Sequence, residues 1–235
     1  MKKAMLLRVG IDKGCGGALA PIFEDGSFEF IPIPESDPDS TESKTYMNTE
    51  GRTGHPLAYY LPVKIKDDSM HVDPEFETFT YGDPTIKRNY LLKLDKDDLV
   101  VFYAGLTPFM TDKYDEALYI IGYFTVNDVI DFNQLTKKEA EDASKLYPNN
   151  AHIKRSMNYQ NLVIIAGDKE KSRLLDNAIL ISAKKLDKRG RSYHAVSPEV
   201  EEQLGIKGSI QRSIPPRFIE GKESLDNLLT ILKLK

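Results

Sequence analysis

The chain opens on Ala4 to Val9, apolar at every position but Arg8, a run with the length and composition of a buried strand; it ends at Gly10 and the stretch Gly14-Cys15-Gly16-Gly17. Ala18 to Phe23 follows and then Glu24-Asp25-Gly26, and Asp-Gly between apolar segments predicts a hairpin turn because such turns need positive φ. Phe28 and Phe30 share one face of the returning strand, and Pro32, which has no N–H to give a ladder, ends its pairing or confines it to an edge. From Pro34 to Pro62 the periodicity gives way to Ser, Thr, Asp and Pro, which predicts a long loop excursion at about 34–62 of a kind usually either functional or disordered. Asp83-Pro84 is a helix start, with the helix running to about Leu94. Leu99 to Tyr103 and Leu118 to Val126, rich in Val, Ile, Phe and Tyr, are the two clearest strands and are predicted to pair across a polar loop. Thr136 with Glu139 forms a capping box for a helix to about Tyr147, and Leu162 to Ala166 is an apolar run of strand length. Leu174 to Ser182 fits both helix and strand, with the balance towards helix at its start. Ser197-Pro198-Glu199 opens a short helix that Gly205 stops, and Glu223 to Leu234 reads as a terminal amphipathic helix.

Hairpins first and helices interspersed later predict an α+β protein with a mixed, partly barrel-like sheet flanked by helices. At 235 residues the chain lies at the upper end of what one core supports, and a single elaborated domain over 1–235 is expected. No window reaches the ~18 apolar residues of a spanning helix, and no apolar signal core follows Met1-Lys2-Lys3, so a cytoplasmic protein without a membrane partner is expected. The lone Cys15 forms no internal disulfide, thiolate metal cage or CxxC pair, which fits a reducing compartment.

A net charge of -4 argues against a chain wrapped in nucleic-acid phosphate. The first fifty residues are acidic, whereas Lys184 to Arg217 gathers bases that include Arg189 and Arg191. An anionic partner is therefore expected at the C-terminal third; the alternative is a solvated helix end and loop.

His71 and Asp73, two apart in an extended segment, point to one face, and His152 or His194 could join them. Two imidazoles and a carboxylate suit zinc or iron, and one imidazole with one carboxylate suits proton transfer. The spacing enforces neither, so no metal ligand is assigned from it, and an ordinary turn or surface hydrogen bond is the competing reading. His152, Lys154 and Arg155 follow Asn149-Asn150 in a segment that can bind an anion or simply connect helix to strand. Arg8 and Asp12 flank the glycine loop. An inward Arg8 must be paired, so a contact with Asp12 or a bound anion is expected. Gly16 and Gly17 either approach a nucleotide or supply positive φ in a tight connection. The helix a dinucleotide loop requires is missing, because Pro21 leads into a hairpin. Tyr103, beside Ala104-Gly105, is the aromatic residue best placed to stack on a base, against the usual role of such residues as core.

Several stretches together resemble the nucleotide modification associated domain 3 family, a group of prokaryotic and viral proteins. They are Arg8-Val9-Gly10-Ile11-Asp12 leading to Gly16-Gly17 and Pro21, Ile31-Pro32-Ile33-Pro34-Glu35, His71-Val72-Asp73-Pro74 before Thr80-Tyr81-Gly82-Asp83, and Asp98 to Gly105. The resemblance implies a place in nucleic-acid base modification; it names no reaction or cofactor and carries over no catalytic residue. The strand pair alone is similar to PUA-like and EVE-like domains, which hold a flipped or modified base in a cleft. The leading expectation is a nucleotide- or nucleic-acid-binding protein that recognises a base near Tyr103, Arg8 and Asp12. The alternatives are an enzyme using His71, Asp73 and His152 in acid-base or metal roles, and a scaffold that binds proteins through the 34–62 excursion.

Overall fold

Two long strands organise the chain in the computed structural model, which describes residues 1–155 and 159–235. In chain order the strands are β1 (Lys3–Arg8), β2 (Ala20–Ile22), β3 (Ile33–Pro34), β4 (Met70–His71), β5 (Thr80–Asp83), β6 (Leu99–Pro108), β7 (Ala117–Asp131), β8 (Val163–Gly167), β9 (Arg173–Leu180), β10 (Ser182–Leu186), β11 (Ser192–Val196) and β12 (Arg217–Glu220). The α-helices are α1 (Arg88–Leu91), α2 (Lys137–Leu146), α3 (Pro198–Leu204) and α4 (Lys222–Ile231). Eight strands form a mixed sheet in the order β12-β1-β6-β7-β8-β5, with β2 also on β6 and β9 also on β7. The sheet is not closed into a barrel. β3 with β4 and β10 with β11 make two further small ladders.

β6 is buried from Leu99 to Leu106, which is why it reads as a continuous apolar run rather than an alternation. β7 pairs with it antiparallel, as its composition predicted, from Leu99 opposite Thr125 to Leu106 opposite Ala117. On the other edge of β6, β1 runs parallel from Ala4 opposite Leu99 to Arg8 opposite Tyr103, and β2 resumes the same edge at Ala20 opposite Leu106. The intervening segment, with the glycine loop, therefore bulges out from a single edge and returns to it.

Leu174 to Ser182 is strand, not helix. β8 covers one edge of β7 only from Val126 onward, and the backbone of Tyr119 to Tyr123 on that edge needs partners, which β9 supplies. Asp83 also departs from expectation. It ends β5, and its Oδ1 accepts Thr85 N at 2.6 Å and Thr85 Oγ1 at 2.5 Å, so the start signal is spent on a turn and α-helix is confined to Arg88–Leu91. The Thr136–Glu139 capping box is formed at α2, and Ser197 caps α3. The 34–62 excursion is irregular apart from a single turn at Leu57–Tyr60, yet it packs inwards: Tyr46 is fully buried and its hydroxyl donates to Pro32 O at 2.8 Å. Among the described residues no helix is long and apolar enough to cross a membrane.

Asp98 pins the start of the sheet. Its Oδ1 accepts the amides of Lys2 (2.9 Å) and Lys3 (3.1 Å), and its Oδ2 accepts the amide of Asp95 (2.9 Å). Burial pushes its carboxyl upwards, but these amides and the Lys3 ammonium outweigh burial and hold it below its ordinary 3.8. A depressed carboxyl contributes stability that is fully present above pH 3.8 and is lost as pH falls below it. Asp98→Ala is expected to cost about 1–3 kcal/mol in urea unfolding at neutral pH, through donors left unsatisfied. The difference from wild type should shrink in the same titration run well below pH 3.8.

Candidate metal centre

His71 ends β4, paired with Ile33 of β3, and the extended chain carries Asp73 to the same side, as their spacing predicted. The Asp73 carboxylate accepts Gly82 N of β5 at 3.1 and 3.3 Å, which fixes it against the sheet edge. The third member comes from the turn after α2. Asn150 is fully buried; its Nδ2 donates to Thr80 Oγ1 at 3.1 Å and its Oδ1 accepts His152 N at 3.0 Å, so β5 also sets the position of His152. Glycine at 82 is what lets the imidazole approach: a Cβ there would lie 2.8 Å from His152 Cδ2 and 3.1 Å from Asn150 Oδ1.

One ligand atom from each of His71, Asp73 and His152 lies within 4.8 Å of the others. His152 Nε2 is 3.5 Å from Asp73 Oδ2, and the two imidazole rings meet edge to face with centroids 4.7 Å apart. His71 Nδ1 donates to Glu35 Oε2 at 2.9 Å, which leaves its Nε2 to face a ligand. Glu35 is held in turn by Arg155, through Nε at 3.0 Å and Nη2 at 2.6 Å. Burial pushes the Glu35 carboxyl upwards, and the hydrogen bonds from His71 and Arg155 override it, holding that carboxyl far below the usual range. Such an outer carboxylate orients a ligating imidazole and increases its basicity.

The triad opens into a cavity of about 200 Å³ that is also lined by Arg8, Tyr81, Asp83, Lys87, Arg155 and Arg212. The Lys87 ammonium has no hydrogen-bond or ion-pair partner among the described residues. Burial lowers its pKa from 10.5 against the opposing pull of Asp83. A lysine so placed is suited to proton transfer.

Beside this cavity lies a larger cleft of about 590 Å³, walled by the glycine loop, Leu19, Gly105, Glu116 to Leu118, His194 and Gln211 to Ser213. Arg8 and Arg212 line both spaces. Asp12 Oδ1 accepts the amides of Gly14 (2.9 Å) and Cys15 (2.8 Å), while Arg212 donates to Asp12 Oδ2 and to Gly10 O. Gly16 (φ 99°) and Gly17 (φ 79°) take the positive φ of a tight connection.

The remaining expected residues are dispersed. His194 belongs to the larger cleft, with Nδ1 3.3 Å from Ser182 Oγ, so His152 alone joins His71 and Asp73. Lys154 is paired with Glu42 at 2.7 Å, and Cys15 is half-buried in the cleft wall. Arg189 and Arg191 sit in the exposed turn between β10 and β11, the latter bound to Asp187. Tyr103 is buried and its hydroxyl donates to Ile210 O at 3.0 Å, so its ring is core and offers no stacking face to a base. Sequence reasoning gave no role to Glu35, Gly82, Lys87, Asn150 or Arg212. Glu35 and Gly82 stood within the segments that carried the family resemblance, and the other three had no local signal.

Fold and site define the chain as a mixed-sheet α+β protein carrying two imidazoles and a carboxylate in mutual reach, with an outer carboxylate behind one imidazole. The model of the nucleotide modification associated domain 3 family matches residues 3–212, a span that contains every residue of both cavities named above, and the chain belongs to that family. No curated protein and no solved structure matches significantly.

Proposed function

We propose that this protein is a metal-dependent enzyme that acts on a nucleotide or on a base within nucleic acid, with His71, Asp73 and His152 as the protein ligands of the ion. What carries the proposal is the convergence of these three side chains within 4.8 Å, with Glu35 orienting the first of them. Two imidazoles and one carboxylate leave coordination positions open for water and substrate, which distinguishes a catalytic from a closed structural site. A divalent ion there acidifies a bound water or polarises a substrate oxygen. Lys87 and Asp83 stand in the same cavity to exchange protons. Membership of a nucleotide-modification family supports the substrate class. A non-catalytic base reader receives less support, because Tyr103 is part of the core.

The test is equilibrium dialysis of chelator-stripped protein against Zn²⁺, Mn²⁺ and, without air, Fe²⁺, followed by mass spectrometry of nucleotides and oligonucleotides incubated with the loaded protein. A single equivalent of bound ion is expected, together with a mass change in one substrate class that requires it. Failure of all three ions to bind stoichiometrically would overturn the assignment.

A further inference from the structure

Arg8 is the charged residue of an otherwise apolar strand, and its surroundings do not neutralise it. β1 places it opposite Tyr103 of β6, with its guanidinium carbon 6.0 Å from the centre of that ring. The guanidinium then lies along the backbone of Gly105, where a Cβ would stand 2.7 Å from Arg8 Nη2. The residue is 7% exposed, and its buried Nε and Nη1 have no hydrogen-bond partner among the described residues. The carboxylate oxygen it faces, Asp12 Oδ2, is 4.0 Å from Nη2 and already accepts from Arg212 Nε. Burial and the neighbouring Arg212 push the acidity of Arg8 down to about 10 from 12.5, the response of a cation that lacks its counterion.

An unpaired buried charge is costly, and a fold that keeps one is arranged for an anion that arrives from outside. The cleft beyond Arg8 holds Arg8, Arg212 and Lys13 against Asp12 and Glu116, an excess of positive charge within a chain of net charge -4. Lys13 is committed to Glu116 at 2.6 Å and Arg212 to Asp12, which leaves Arg8 as the free cation of the set. Loop amides do not make this site, since those of Gly14 and Cys15 are bonded to Asp12. At about 590 Å³ the cleft falls in the range of small-molecule sites, about 300–1,000 Å³, and is far larger than an isolated oxyanion requires.

We infer that Arg8, with Arg212 beside it, binds a phosphate group of the substrate in the larger cleft, as a forked guanidinium binds phosphate oxygens. Because both arginines also line the triad cavity, a molecule anchored there by its phosphate has its remainder directed towards His71, Asp73 and His152. The ligand class is a phosphorylated nucleoside, free or at a strand position. The nucleoside part rests on the functional proposal above, and the phosphate contact rests on Arg8 alone.

The experiment is isothermal titration and thermal unfolding of the chain without added metal. Its ligands are inorganic phosphate, nucleoside 5′-monophosphates, the matching nucleosides, and a short single-stranded oligonucleotide. The monophosphate is expected to bind about 10-fold or more tightly than its nucleoside, the scale of a charge-assisted contact. An oligonucleotide that outcompetes the monophosphate assigns the phosphate to a strand, and the reverse order assigns it to a free nucleotide. Arg8→Met should abolish the preference for phosphate while leaving the unliganded chain at least as stable as wild type, since it removes an unpaired charge. Gly105→Ala, which keeps the charge but displaces Nη2, should weaken the monophosphate in the same direction. Equal binding of nucleoside and monophosphate by wild type, or an Arg8→Met chain that keeps the preference, would overturn the inference. So would an Arg8→Met chain that is less stable without ligand, because Arg8 would then have a structural partner. Metal plays no part in these measurements, so the metal assignment stands or falls separately.

Discussion

Replacing His71 by alanine is expected to remove tight metal binding altogether, with a loss greater than the about 10–100-fold that disturbance of an outer-shell partner costs. His71 is the triad member whose orientation is fixed from behind, by a hydrogen bond to a carboxylate that Arg155 itself secures. Its removal takes a donor out of a set of three and leaves Asp73 and His152 as an incomplete site. Glu35→Gln supplies the internal scale: it keeps all three ligands but weakens the acceptor behind His71, and its loss should stay within about 10–100-fold. Competition against a chromophoric chelator would measure both. A His71→Ala chain that binds as tightly as the Glu35→Gln chain would mean that the ion, if held, is held elsewhere.

The second large effect is on stability. Phe124→Ala is expected to lose about 3–5 kcal/mol, the range for deleting a buried aromatic ring. Its ring is fully buried and meets Phe102, Phe76 and Phe79 at centroid distances of 4.7, 5.3 and 5.6 Å. Phe76 and Phe79 belong to the turn between Asp73 and β5, in which the Glu75 carboxylate accepts Thr78 N and Thr78 Oγ1. The aromatic cluster therefore anchors the piece of chain that joins two sides of the metal site. A weaker metal affinity should accompany the lost stability, and denaturant unfolding with a metal titration of the same variant checks both. A loss below about 1 kcal/mol would mean that the rings repack to fill the space.

Strands β1, β6 and β7, the capping box of α2 and the start of α3 could be read in the sequence because each is determined by residues close together in the chain. The His71–Asp73 pair could be read for the same reason, since alternate positions of an extended segment share a face. The choice of His152 over His194 could not, because it depends on Asn150 reaching Thr80 across seventy positions of sequence. β9 was misjudged because its conformation answers an open edge of β7 that no local pattern reveals. Tyr103 showed the aromatic, strand-borne pattern of either a platform or a core residue, and only the closure of Ile210 over its hydroxyl decides between them. The basic stretch around Arg189 and Arg191 is a matter of composition alone, and the two residues stand on a solvent-exposed turn.

β1 and β2 return to one edge of β6 in the same direction, and this separates two properties that evolution or design can vary one at a time. The segment between them is a side branch whose ends are both clamped, so doubling its length costs only about 0.6 kcal/mol of loop closure. It walls the cleft that would select a ligand, while the ligands for an ion come from β4, the residues that follow it and the turn after α2. Substrate preference can thus be rewritten in that branch, by insertion or exchange, without moving a single metal ligand.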